Sequence, residues 1–155
     1  MTGGFFGHEQ AKRVRVINPA YPGIHTPGDL YEALLDVWCA ETCTPRMRKN
    51  WSERNPTLGQ CAITSFLAQD IFGGKVYGVP LRDGGIHCFN VVDGIAFDLT
   101  SEQFGDEALR YDDSPEQFRD IHFAREEKRQ RYELLKVRLQ ERLCSREPSA
   151  DGAGD

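Results

Sequence analysis

Between Cys61 and Leu99 the hydrophobic pattern changes period once, and that change restricts the fold more than any other feature of the chain. The run Cys-Ala-Ile-Thr-Ser-Phe-Leu-Ala-Gln-Asp-Ile-Phe, residues 61–72, carries Ile63, Phe66, Leu67 and Ile71 at helical spacing. Gly73-Gly74 follows, as expected just past a helix C-terminus. The pattern then alternates. Lys75–Leu81 reads as a strand interrupted by Gly78 and Pro80, and Arg82-Asp83-Gly84-Gly85 reads as a turn. Ile86–Val92 reads as a second strand, and Ile95–Leu99 as its return from the two-residue turn Asp93-Gly94. A buried central helix followed by a small antiparallel sheet is an α+β arrangement.

The flanking segments are read from local signals. Residues 1–10 are Gly-rich and aperiodic, and are expected to be flexible; residues 12–18 alternate briefly, as an edge strand would. Thr26 is an N-cap, Pro27 suits the first helical position, and Leu30, Tyr31, Leu34, Leu35 and Trp38 extend a helix to about Cys43. Residues 44–60, with Pro45, Asn50, Asn55, Pro56 and Gly59, form a loop. Ser114 caps a further helix starting at Pro115-Glu116-Gln117. From about Ala124 to Cys144 a highly charged helix carries Tyr132, Leu135, Leu139 and Leu143 on one stripe, which docks on the core or forms a homodimer seam. Residues 145–155 are expected to be a disordered tail, leaving one domain over 11–144.

Charge and cysteine usage exclude several classes. With 24 acidic and 19 basic residues the net charge is −5, which opposes a nucleic-acid partner. No apolar run reaches the roughly 18 residues that span a membrane, and the first residues lack a basic segment followed by an apolar one, so a cytoplasmic location is expected. Five cysteines, an odd number without a CxxC pair, argue against a disulfide framework. Cys39 and Cys43 could join His87 or Cys88 at zinc, but structural zinc sites show tighter ligand pairs, so no metal and no cofactor is expected. His8, His25 and His122 are isolated, and surface or capping roles suffice for them.

Cys61 stands out among the thiols. A nucleophilic cysteine must ionise, and a helix N-terminus favours its anion. Cys61 begins the apolar helix directly after a Pro/Gly loop, where its own backbone N–H can also receive an oxyanion. Gly59 would let the backbone approach a substrate, and Gln60 or Asn55 could supply the second donor. The plainer alternative is a small buried residue at a helix start. His87 and Asp98 tilt the balance. A two-residue Asp93-Gly94 turn sets Phe89 opposite Asp98, so His87 and Asp98 share a face one diagonal step apart. A three-residue turn with a bulge at Gly94 would separate them. Cysteine, base and orienting acid are what thiol catalysis requires, with Asn90 as the reserve orienting group and Trp51 lining the site.

The stretches Gly59-Gln60-Cys61-Ala62-Ile63-Thr64, Gln69-Asp70-Ile71-Phe72-Gly73-Gly74, His87-Cys88-Phe89-Asn90 and Phe97-Asp98-Leu99-Thr100-Ser101-Glu102-Gln103-Phe104, with Trp51-Ser52 upstream, resemble the bacterial YunG-like proteins over about residues 50–143. That resemblance implies a small cytoplasmic protein and carries no activity. The layout is similar, more distantly, to papain-like and transglutaminase-like thiol enzymes, with Cys61, His87 and Asp98 in the places of their triad. It implies a papain-like core and a thiol hydrolase or transferase acting on an amide, isopeptide or thioester bond of a peptide, protein or small amide. The rival expectations are a non-catalytic peptide- or protein-binding module on the same fold, and a deamidase-like modifier of a partner protein.

Overall fold

The computed structural model describes residues 4–105, 107 and 109–145. Its first helix, α1, covers Pro27–Leu34 and opens with a reciprocal capping box: Thr26 Oγ1 accepts from the Asp29 N–H, and the Asp29 carboxylate accepts from the Thr26 N–H. It stops well short of Cys43. Side chains satisfy the backbone beyond it instead of an i→i+4 ladder. Thr42 Oγ1 bonds both N–H and carbonyl of Cys39, and the Arg48 guanidinium donates to the carbonyls of Ala40, Glu41 and Cys43. Val37 and Trp38 are nevertheless buried, which is why the apolar spacing outlasts the helix.

The central helix, α2, covers Cys61–Phe72, and Ile63, Phe66, Leu67 and Ile71 are fully buried. Four antiparallel strands follow: β1 at Lys75–Pro80, β2 at Ile86–Val92, β3 at Ile95–Phe97 and β4 at Glu116–Gln117, in the order β3-β2-β1-β4. Asp93 and Gly94 have φ of 52° and 79°, the left-handed pair of a type I′ turn. Val92 faces Ile95, Val91 faces Ala96 and Asn90 faces Phe97, so the two-residue register holds and the bulge is absent.

Three segments depart from their local signals. β3 ends at Phe97, because the Asp98 N–H turns to the Phe6 carbonyl at 3.0 Å while the Phe6 N–H donates to Ser101 Oγ. Residues 4–10, expected to be flexible, are thus packed, with Phe5 buried. Residues 12–18 form no edge strand: Gln10–Arg13 is a 3-10 turn, and the Ile17 and Asn18 N–H groups both use the Ile71 carbonyl that the end of α2 leaves open. Ser114-Pro115 starts no helix either. The Pro115 carbonyl accepts from the Gly78 N–H, and Glu116–Gln117 pairs with Tyr77 and Val76, because the open edge of β1 outcompetes a local cap.

Helix α3 covers Arg119–Phe123 and α4 covers Glu126–Ser145. The stripe Tyr132, Leu135, Leu139 and Leu143 is buried against α2 and α1, so α4 docks on the core. The expected disordered tail falls, beyond Ser145, outside the described residues. The fold is α+β, with a small antiparallel sheet, a central helix and a charged C-terminal helix.

Candidate active site

Cys61 is the first residue of α2, and no side chain caps that helix start. Its backbone N–H therefore keeps the outward direction that the helix dipole makes attractive to an anion. The Cys61 sulfur is half-buried and lies 3.9 Å from the Ile86 carbonyl at the beginning of β2. His87 and Cys88 follow Ile86 in β2 and alternate to its two faces.

His87 and Asp98 come together as the alternation implied. His87 Nε2 is 2.7 Å from Asp98 Oδ2, and both side chains are at most 2% exposed. A carboxylate accepts, so Nε2 carries the proton and Nδ1 is the nitrogen left for Cys61. The other oxygen, Oδ1, accepts from the N–H and the hydroxyl of Thr100 and so holds the turn after β3. Asp98 therefore does both things its position allowed: it forms the turn and it orients the histidine.

The electrostatics follow from these contacts. The Cys88 thiol donates to the Cys61 sulfur, and the charge and hydrogen bond of His87 add to it; together they outweigh burial and hold Cys61 well below the ordinary thiol range. Cys88 is driven up by the same bond and by burial, so it stays a thiol. Burial works against a charge on His87, yet the Cys61 anion, the bond to Asp98 and its charge raise His87 to about 10. Both shifts run in the direction of a thiolate–imidazolium pair.

Several neighbours carried little sequence signal. The Tyr111 hydroxyl donates to Asp98 Oδ2 at 2.7 Å, and burial and the Asp98 charge keep that phenol protonated. Tyr111 lies in the aperiodic stretch after Gly105, where nothing marks an aromatic as special; its ring stacks on Phe6 at 4.1 Å. Phe104 packs edge-on against the His87 ring at 4.7 Å. His122, which looked isolated, packs its ring against Phe66 of α2. Cys88, weighed from the sequence as a zinc ligand, is buried on β2. A cleft of about 320 Å³, lined in part by Phe6, Glu102, Glu107 and Tyr111, flanks the Asp98 side of the group.

The expected supporting residues fare unevenly. Asn90 donates to the Ser65 carbonyl beneath α2 and belongs to the core, on the strand face opposite His87, so it is no orienting group. Gln60 is fully buried, and its amide N–H donates to the Cys39 carbonyl rather than to an oxyanion. The Gln60 Oε1 has no partner among the described residues. The close approach at Gly59 is to Cys43, since an added Cβ would sit 2.5 Å from its sulfur; it makes no room for a substrate. Trp51 donates its indole N–H to the Pro56 carbonyl and closes the 51–56 loop. The Asn55 carboxamide forms no hydrogen bond among the described residues, and its backbone joins the turn from Ser52. All five cysteines are free, and no cluster of three or more metal-ligating side chains occurs among the described residues.

A protein of Bacillus subtilis (strain 168) called "Uncharacterized protein YunG" is 41% identical over 54 residues, which cover 35% of this chain and 46% of that protein. The chain thus spans about half the length of that relative. No solved structure matches the chain. The model of the YunG protein family matches residues 26–144, from the cap of α1 to the last turn of α4, with Cys61, His87 and Asp98 inside that range, and this chain belongs to the YunG family.

Proposed function

We propose that this chain is a small thiol hydrolase or transferase of papain-like type, with Cys61 as nucleophile, His87 as base and acid, and Asp98 as orienting group. One observation carries the reading: a buried His87–Asp98 pair beside a helix-start cysteine held below the usual thiol range. The central helix that begins at the cysteine, with the histidine on the adjoining strand, supports the papain-like comparison.

The chemistry follows from the groups present. The Cys61 thiolate attacks the carbonyl carbon of an amide, isopeptide or thioester; a C–S bond forms and the carbonyl electron pair moves to oxygen. The Cys61 N–H at the start of α2 faces that oxyanion, and Asn55 is the remaining candidate for the second donor. Collapse expels the amine or thiol, which takes the His87 proton. Neutral His87 then accepts a proton from water or from an acceptor amine, which attacks the acyl thioester and releases Cys61. Deamidation is the case in which the leaving group is ammonia. Free thiols at such a site suit a reducing compartment, in keeping with a cytoplasmic role. No described helix is long and apolar enough to cross a membrane.

Iodoacetamide labelling read by mass spectrometry at each cysteine across pH tests this. Cys61 should react faster than exposed Cys144 at about pH 6, and His87→Ala should return its profile toward the ordinary thiol range near about 8.5. Equal rates at Cys61 and Cys144 over that range would remove the nucleophile. A Cys61→Ser chain that keeps its full biological effect would favour the rival binding module instead.

A further inference from the structure

We propose that Tyr111 is a positioning residue for the reaction: its hydroxyl anchors Asp98 Oδ2 and takes a share of the carboxylate charge, which sets how firmly the His87 cation is held. This rests on Cys61, His87 and Asp98 acting together and adds a fourth side chain to that group.

The bonds of Asp98 show what the hydroxyl supplies. Oδ1 accepts from the Thr100 N–H at 3.2 Å and from the Thr100 hydroxyl at 3.4 Å, both within its own turn. Oδ2 accepts from His87 Nε2 and from the Tyr111 hydroxyl, each at 2.7 Å. Asp98 is fully buried, so its charge depends on these partners. Among the described residues, Tyr111 alone bonds the carboxylate from outside both the turn and the reacting pair.

The ring is packed so that the hydroxyl keeps its aim. It stacks on Phe6 at 4.1 Å and 17°, and Phe89 meets it edge-on at 4.9 Å. Phe89 lies two residues after His87 on β2 and shares its face. The Phe6 carbonyl in turn accepts from the Asp98 N–H, and the Phe6 N–H donates to Ser101 Oγ. The main chain and the side chain of Asp98 are thus gripped from one aromatic stack.

The chemistry gives the hydroxyl a use beyond packing. A hydrogen bond to a carboxylate stabilises the anion and lowers its basicity. Without Tyr111, Oδ2 would spend its full charge on His87 Nε2 and make Nδ1 more basic. In the proposed cycle the leaving group takes its proton from Nδ1, and an imidazolium held too firmly gives that proton up slowly. The ionisable groups acting on His87 are Cys61 from α2 and Asp98 after β3, while Phe104 covers the ring without charge. Tyr111 acts through Asp98, and it stays a donor because burial and the Asp98 charge keep its proton on.

A pH titration of the full chain tests this, following the proton–carbon correlation signal of His87 Cε1. Cys61→Ala serves as the background, because it removes the Cys61 anion that raises His87 and so lowers the midpoint. Adding Tyr111→Phe keeps the ring and removes only the hydroxyl. Its midpoint should lie above the background by about half a pH unit or more, roughly threefold in proton affinity. A ring-fluorinated tyrosine at position 111, a stronger donor of nearly the same size, should move the midpoint down, and it carries the test if Tyr111→Phe unfolds. A midpoint that both changes leave within about 0.2 pH unit of the background, or that Tyr111→Phe lowers, overturns the proposal. The titration needs no reaction at Cys61, so iodoacetamide labelling of the parent reports the nucleophile separately. A midpoint that depends on Tyr111 beside an ordinary Cys61 would sink the enzyme reading and leave Tyr111 as the anchor of a structural ion pair.

Discussion

Asp98 divides its two oxygens between structure and chemistry, and His87 inherits the consequence. Oδ1 holds the turn through Thr100, while Oδ2 takes His87 and Tyr111. The shared face of His87 and Asp98 was legible because strand alternation and a two-residue turn are local rules. Tyr111 and His122 were not, because their segments have no period that ties them to β2. His87 also makes stability depend on pH. Burial opposes its charge, but Cys61 and Asp98 raise it from 6.5 to about 10. A raised cationic group stabilises the folded state fully below its unfolded value, and that contribution is lost as pH climbs through the folded one. Urea unfolding should therefore show the parent's largest advantage over His87→Gln near about pH 6, fading above about pH 10. An advantage that grows with pH would contradict the ion pair.

At the scale of elements, α2, β2 and the I′ turn followed their sequence signals closely, whereas α1 and the Ser114 segment did not. Thr26 and Pro27 start α1 correctly, yet it stops at Leu34, and Thr42 and Arg48 hold residues 39–43 through bonds that no helical spacing reveals. Pro115 looked like the first residue of a helix until the edge of β1 claimed its carbonyl. Helix α4 shows the converse: its charged composition says surface, but one stripe of it completes the core. Leu139 is fully buried and Val137 is 46% exposed. Leu139→Ala should cost about 2–5 kcal/mol by denaturant unfolding, with Val137→Ala within about 0.5 kcal/mol of the parent. Similar small losses at both would mean that α4 does not carry the core.

Across the whole molecule, the candidate site is assembled from segments far apart in the chain. Phe6 bonds Asp98 and Ser101, Tyr111 bonds Asp98, and Cys61 at the start of α2 meets the Ile86 carbonyl of β2. Deleting residues 1–9 should lower the unfolding midpoint and slow iodoacetamide labelling of Cys61 at about pH 6, because Asp98 and Ser101 lose backbone partners beside the histidine. Unchanged midpoint and labelling would show that the first strand-like contact is dispensable. The sequence alone determined the central helix, the hairpin and its register, and the convergence of His87 on Asp98, because periods, caps and turn types act over a few residues. Only the tertiary structure decided where α1 stops, that β4 replaces a helix start, that residues 4–9 pack, and which groups surround Cys61. Apart from the segment after α1, where Thr42 and Arg48 reach back three to eight residues, those outcomes depend on backbone groups and charges whose partners lie tens of residues away, and no local pattern encodes a partner at that distance.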